Sequence, residues 1–111
     1  MIERVDLRGD PDGDLSAVID QLRRDGVIGY PTETVYGLGG ACTARAASRV
    51  RSIKGRDGDK PLLVLARTRE DLEGLEWTPV AEELADIFWP GSVTLVLRDP
   101  RRLFPEGVGD A

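Results

Sequence analysis

Histidine is absent from this 111-residue chain, cysteine occurs once, as Cys42, and lysine only twice, as Lys54 and Lys60. Each shortage excludes chemistry. Without histidine there can be no Ser-His-Asp triad, no Cys-His dyad and no H-E-x-x-H zinc site. A lone cysteine forbids an internal disulfide and a multi-cysteine zinc cluster, and nothing beside Cys42 argues for a nucleophile, so it reads as a small buried apolar residue. No apolar run approaches the roughly 18 residues of a membrane span, and Met1-Ile2-Glu3-Arg4-Val5-Asp6 lacks the basic-then-apolar layout of a secretory signal. A cytoplasmic protein with no membrane partner is the expectation. What remains open is catalysis by positioning and electrostatics, the usual means of phosphoryl and nucleotidyl chemistry. No residue set stands out as a metal site; a participating metal would be held by carboxylate, hydroxyl and phosphate oxygens, which favours Mg²⁺.

The net charge is −5 with 32% charged residues, so bulk charge does not draw the chain to nucleic acid and any such contact must be a local patch. A chain this long is normally one domain that buries roughly two-thirds of its unfolded surface. Ile2, Val5 and Leu7 alternate imperfectly with polar neighbours and predict a short strand over 2–7. Leu15, Val18, Ile19 and Leu22 then recur at helical spacing, which predicts a helix over 14–25 with Asp14 as N-cap and Gly26 as the C′ residue. Val27 to Tyr30 reads as a buried strand stopping at Pro31, and Ala46, Ala47, Val50 and Ile53 mark a second helix capped by Thr43. Leu62 to Ala66 is a continuous apolar run, expected as a strand buried on both faces. A short helix and turn follow over 68–76. A third helix is expected over 79–88 with Val80, Leu84, Ile87 and Phe88 inward, then a strand over 93–97 and a loop from Asp99 to Ala111. This pattern predicts an α/β fold, a twisted mixed sheet flanked by helices.

Two motifs carry chemistry. Pro31-Thr32-Glu33-Thr34-Val35-Tyr36-Gly37-Leu38-Gly39-Gly40 begins at a strand end, where ligands gather in open α/β sheets, and Lys54-Gly55-Arg56-Asp57-Gly58-Asp59-Lys60-Pro61 follows the second helix. Glycines leave backbone N–H groups accessible, threonines add hydroxyl donors, and Lys-x-Arg supplies cations for charge-assisted hydrogen bonds to phosphate or carboxylate. Together they describe a pocket for a polyanion. Each also has a plain structural reading: the glycines as a tight turn or close strand packing, the basic run as a solvated loop, and Trp89-Pro90-Gly91-Ser92 as a helix stop with a core tryptophan. Cys42 stands where a Gly-x-Gly-x-x-Gly fingerprint needs glycine, and no Gly-Lys-Ser/Thr ending makes a Walker loop. Asp10-x-Asp12-x-Asp14 imitates an EF-hand start, but Leu15 and Gln21 occupy the positions of its glycine and bidentate glutamate. Arg8-Gly9-Asp10 reads as a chance adhesion-like tripeptide.

The order and spacing of Pro31 to Gly39, of Lys54-Gly55-Arg56 with Lys60-Pro61-Leu62, and of Trp89-Pro90-Gly91-Ser92 through Leu97 resemble the YrdC/Sua5 family of threonylcarbamoyl-AMP synthases. The resemblance implies a YrdC-like domain over 1–111 and condensation of L-threonine, bicarbonate and ATP, the last as a substrate with Mg²⁺. The product would be threonylcarbamoyl-AMP and pyrophosphate, for N6-threonylcarbamoyl modification of adenosine 37 in transfer RNA. Carried over by position, Thr34 and Thr32 would bind threonine, Arg56 and Lys60 the ATP phosphates, and Lys54 with Arg56 would be catalytic, Lys54 meeting the developing anionic oxygens. The family runs on through a Thr-x-x-x-Arg strand and a Ser-x-Asn motif, so the resemblance implies a domain that stops short of its C-terminal strands and is weakly active or inactive alone. Implied partners are a downstream tRNA threonylcarbamoyltransferase and transfer RNA or double-stranded RNA. Two alternatives stand beside it: a non-catalytic YrdC-like RNA-binding module, and the YrdC-like part of a carbamoyltransferase.

Overall fold

The computed structural model describes residues 3–10, 13–55, 61–105 and 108, which form an α/β arrangement of three α-helices, a 3₁₀ turn and strand pairing in both senses. The first element is not the expected strand. Over Glu3 to Leu7 the chain is irregular, because the Asp6 carboxylate takes the Arg8 amide at 3.0 Å and pairs with its guanidinium at 2.6 Å. A local side-chain bond of this kind competes with ladder formation. Ile2 lies outside the described residues.

Helix α1 spans Ser16–Arg23, shorter at both ends than its periodicity predicts. Leu15 is its N-cap, and Asp14 acts one residue earlier by accepting the Ser16 amide at 2.9 Å. At its C-terminus Asp25, not Gly26, takes the left-handed conformation with φ 57°. The Gly26 amide bonds the Gln21 carbonyl at 2.9 Å and the Asp25 amide bonds the Leu22 carbonyl at 3.1 Å. Those are the two bonds of a Schellman ending, in which Asp25 is C′ and Gly26 is C″.

Strand β1 (Ile28–Tyr30) turns back through residues 31–36 into β2 (Gly37–Gly39), an antiparallel pair in which Tyr30 opposes Gly37 and Ile28 opposes Gly39. α1 packs on β1 and α2 (Ala44–Lys54) on β2. Thr43 caps α2 as the sequence predicts, its hydroxyl accepting the Ala46 amide at 3.1 Å, and Gly55 ends the helix at φ 63°. Thr43 also donates to the Asp25 carboxylate at 2.8 Å, while Arg49 donates to the Asp25 carbonyl at 3.0 Å, tying α2 to the end of α1. The buried face of α2 is Ala46, Ala47 and Val50; Ile53 continues the stripe but is exposed. Cys42, expected to be buried, is exposed in the bend before the cap.

The second half is built around two indoles. The 3₁₀ turn η1 (Arg69–Leu72) matches the expected short helix, and α3 (Pro79–Phe88) matches its expected bounds, with the Thr78 hydroxyl accepting the Ala81 amide at 3.1 Å. Trp77 and Trp89 meet edge to face at 5.9 Å between centroids. Both indole N–H groups are satisfied, Trp77 by the Leu72 carbonyl at 3.0 Å and Trp89 by the Val93 carbonyl at 2.7 Å. Arg69 lies over Trp77 at 5.4 Å and pairs with Asp86 at 2.7 Å. The inward residues of α3 are Ala81 and Ala85, whereas Val80, Ile87 and Phe88, expected inside, are exposed.

Neither predicted later strand forms a ladder among the described residues. Over 62–66 only Leu62 bridges, in parallel, to Val108, and Leu63 and Leu65 are exposed rather than buried. Over 93–97 the chain has no regular structure and no ladder pairing among the described residues, the nearby bridge joining Glu76 to Arg98. Apolar content identifies a segment that can pair. It does not supply the neighbour whose N–H and C=O groups complete the ladder.

Candidate functional site

The Pro31 to Gly40 motif occupies the β1–β2 connection, β2 and the residue after it. Its glycines are explained by packing first. A Cβ on Gly37 would lie 3.1 Å from the Tyr30 ring and one on Gly39 would lie 3.0 Å from it, so the ring rests across both positions. An aromatic laid over cross-strand glycine shields a backbone that otherwise has no side chain to pack. Gly40 has a different cause: a Cβ there would come within 3.2 Å of both the Ala46 side chain and the Gly26 carbonyl, which lets the hairpin base approach α2.

Within the connection, Thr32 organises the backbone. Its hydroxyl donates to the Val35 carbonyl and accepts the Thr34 amide at 3.3 Å and the Val35 amide at 3.2 Å. Thr34 is exposed, and its hydroxyl makes no hydrogen bond to the protein among the described residues. Beside it Val35 and Tyr36 are 72% and 81% exposed, large side chains left uncovered at the hairpin tip.

Of the expected cations, Lys54 is the last residue of α2, exposed and without an ion pair among the described residues. Its place at a helix C-terminus, where carbonyl dipoles favour positive charge, agrees with the sequence expectation. No hydrogen bond joins it to Thr32 or Thr34. Arg56 and Lys60 lie outside the described residues, so the expected triad of cations is placed only at its first member. No group of three or more acidic or cysteine side chains among the described residues is arranged to hold a metal ion. No described helix is long and apolar enough to cross a membrane.

Two clefts lie away from the motif. One of about 390 Å³ is lined by Gln21, Gly26, Val27, Arg49, Ser52 and Ile53; another of about 450 Å³ by Arg69, Glu70, Glu73, Leu75, Trp77 and Glu82. Neither contains Thr32, Thr34 or Lys54. The residue that sequence reasoning missed is Tyr30, whose ring sets the shape of the hairpin carrying the threonines. Its signal was available, as a tyrosine ending one strand and glycines at period two just beyond the turn, which is the pattern of an aromatic facing glycine across a pair.

Comparison with known proteins agrees with the family resemblance. The Sua5/YciO/YrdC family model, described as "Telomere recombination", matches residues 20–110. The chain is 46% identical over 79 residues to the threonylcarbamoyl-AMP synthase of Pyrococcus abyssi, covering 68% of this chain and 23% of that protein. It is 41% identical over 93 residues to the threonylcarbamoyl-AMP synthase of Thiobacillus denitrificans, covering 79% of this chain and 48% of the relative. The same-named protein of Chromobacterium violaceum is 42% identical over 88 residues, covering 77% and 46%. The matches thus span about half or less of each curated relative. No solved structure matches the chain.

Proposed function

The chain belongs to the Sua5/YciO/YrdC family, and on that premise we propose that it carries the N-terminal wall of a threonylcarbamoyl-AMP synthase site. The observation that supports this reading is that Thr32, Thr34, Lys54, Arg56 and Lys60, the residues on which the resemblance rests, all fall inside the matched segment 20–110. The substrates are L-threonine, bicarbonate and ATP, with Mg²⁺ arriving on the nucleotide. The threonine amine forms a C–N bond with the bicarbonate carbon, and water leaves. A carbamate oxygen then attacks the ATP α-phosphorus and the bond to the pyrophosphate oxygen breaks, giving the mixed anhydride and pyrophosphate.

Apart from the threonine amine, whose proton leaves with the bicarbonate oxygen as water, the reacting groups are oxyanions, which suits a site built on cations and hydroxyls in a chain with no histidine. Thr34 presents a hydroxyl to threonine at the hairpin tip. Lys54 meets the anionic carbamate and phosphate oxygens, while Arg56 and Lys60 hold the ATP phosphates. Charge-assisted hydrogen bonds of this kind are worth about 1.5–3 kcal/mol each, so Arg56→Ala lowers ATP-dependent turnover by roughly tenfold or more.

The test is incorporation of isotopically labelled bicarbonate into an adenylate by the 111-residue chain. The reading predicts slow incorporation that needs ATP and L-threonine together. ATP turnover that ignores threonine, or binding of transfer RNA without any adenylate, overturns it.

A further inference from the structure

We propose that Thr32 is a positioning residue that holds the β1–β2 connection in shape, and that Thr34 alone presents its hydroxyl to the ligand. The inference deepens, and for the ligand's identity rests on, the threonylcarbamoyl-AMP synthase reading. A threonine hydroxyl has one proton to donate and two lone pairs to accept with. In Thr32 all three are engaged inside the turn: the proton goes to the Val35 carbonyl, and the Thr34 and Val35 amides supply the accepted bonds. A substrate could bond this oxygen only by displacing one of them. Thr34 is two residues further on, exposed, with only its backbone amide engaged.

The two threonines therefore divide the work. Thr32 replaces, inside an exposed loop, the backbone bonds that a ladder would otherwise provide, as Ser and Thr hydroxyls do in turns. It bonds the amide of Thr34 itself and both polar groups of Val35, so it sets the direction in which the Thr34 side chain leaves the backbone. At the base of the same loop, the Tyr30 ring lies against Gly37 and Gly39. The connection is thus held at its base by a ring and within its turn by one hydroxyl.

The test compares Thr32→Val, Thr32→Ser and Thr34→Val in the full chain by two readouts, amide hydrogen exchange at Thr34 and Val35 and titration with L-threonine in the presence of ATP. Thr32→Val is expected to speed exchange at both amides by about fivefold or more, the factor one net hydrogen bond represents. It is also expected to weaken the L-threonine response by about tenfold, and Thr32→Ser, which keeps the hydroxyl, restores both. Thr34→Val loses the L-threonine response with the Val35 amide unchanged. Unaltered exchange in Thr32→Val overturns the proposal, most directly if threonine binding is lost at the same time, because that combination marks Thr32 as a contact. If the wild-type chain gives no L-threonine response, the synthase reading fails, and the exchange comparison still decides the part played by Thr32.

Discussion

At the scale of single residues, the hairpin depends on a contact between one ring and two positions that have no side chain. Replacing Gly39 with alanine sets a Cβ 3.0 Å from Tyr30, so the ring must move, and Tyr30→Ala removes the cover altogether. Both changes are expected to destabilise the chain by about 1 kcal/mol, read as a lower midpoint in urea unfolding; equal midpoints for wild type and Tyr30→Ala would show that the ring does not support the hairpin. Cys42 makes a second residue-level check. Because it is exposed, a thiol reagent should label the native chain about as fast as the unfolded one, whereas strong protection would restore the buried residue that its apolar character suggested. Composition can say that cysteine is often buried. It cannot say that this one falls on the bend before a helix cap, where the chain turns outward.

The helices were legible at the scale of elements because their signals are local. Thr43 and the apolar spacing of Ala46, Ala47 and Val50 suffice for α2, and Pro79 with the Trp89-Pro90-Gly91 stop bounds α3, although the face its large apolar residues marked is mostly exposed. Thr43→Ala loses both the bond to the Ala46 amide and the one to Asp25, and should cost about 1–2 kcal/mol by urea unfolding. Asp14 yields a pH prediction. The Ser16 hydroxyl and amide hold its carboxyl below the ordinary carboxylate value, so the support it gives α1 is complete above that ordinary value and is lost as pH falls through the depressed one. Asp14→Asn should therefore lower helicity by circular dichroism at neutral pH and make no difference in strong acid; a helicity gap that persists in acid would contradict the assignment. The strands were legible only in part. Ile28 to Tyr30 pairs, one residue shorter and less buried than expected, because Gly37 lies seven residues beyond Tyr30 across a turn, while over 62–66 the one bridge among the described residues reaches far along the chain to Val108 and 93–97 has none.

As a whole molecule the chain is open. Its accessible surface is 9093 Å², against about 6,000 Å² for a compact monomer of 12.1 kDa, and its radius of gyration is 15.3 Å, against about 13 Å for its length. The excess includes large apolar side chains on unpaired segments, with Leu63 and Leu65 64% and 67% exposed and Val96 87% exposed. Segments outside any ladder that bear exposed apolar side chains favour association, so the weight-average mass in sedimentation equilibrium is expected to rise above 12.1 kDa with concentration. An ideal monomer at every concentration would contradict that. The candidate site shares that exposure. The hairpin tip with Thr34 and the helix end with Lys54 are placed, and both residues are exposed. The most direct test of the anion-site account is therefore equilibrium dialysis of the full chain against ATP. The account predicts saturable binding that weakens about tenfold in Arg56→Ala and is unchanged in Arg23→Ala, a control at the exposed end of α1. Binding that does not saturate, or that falls equally in both variants, would contradict it.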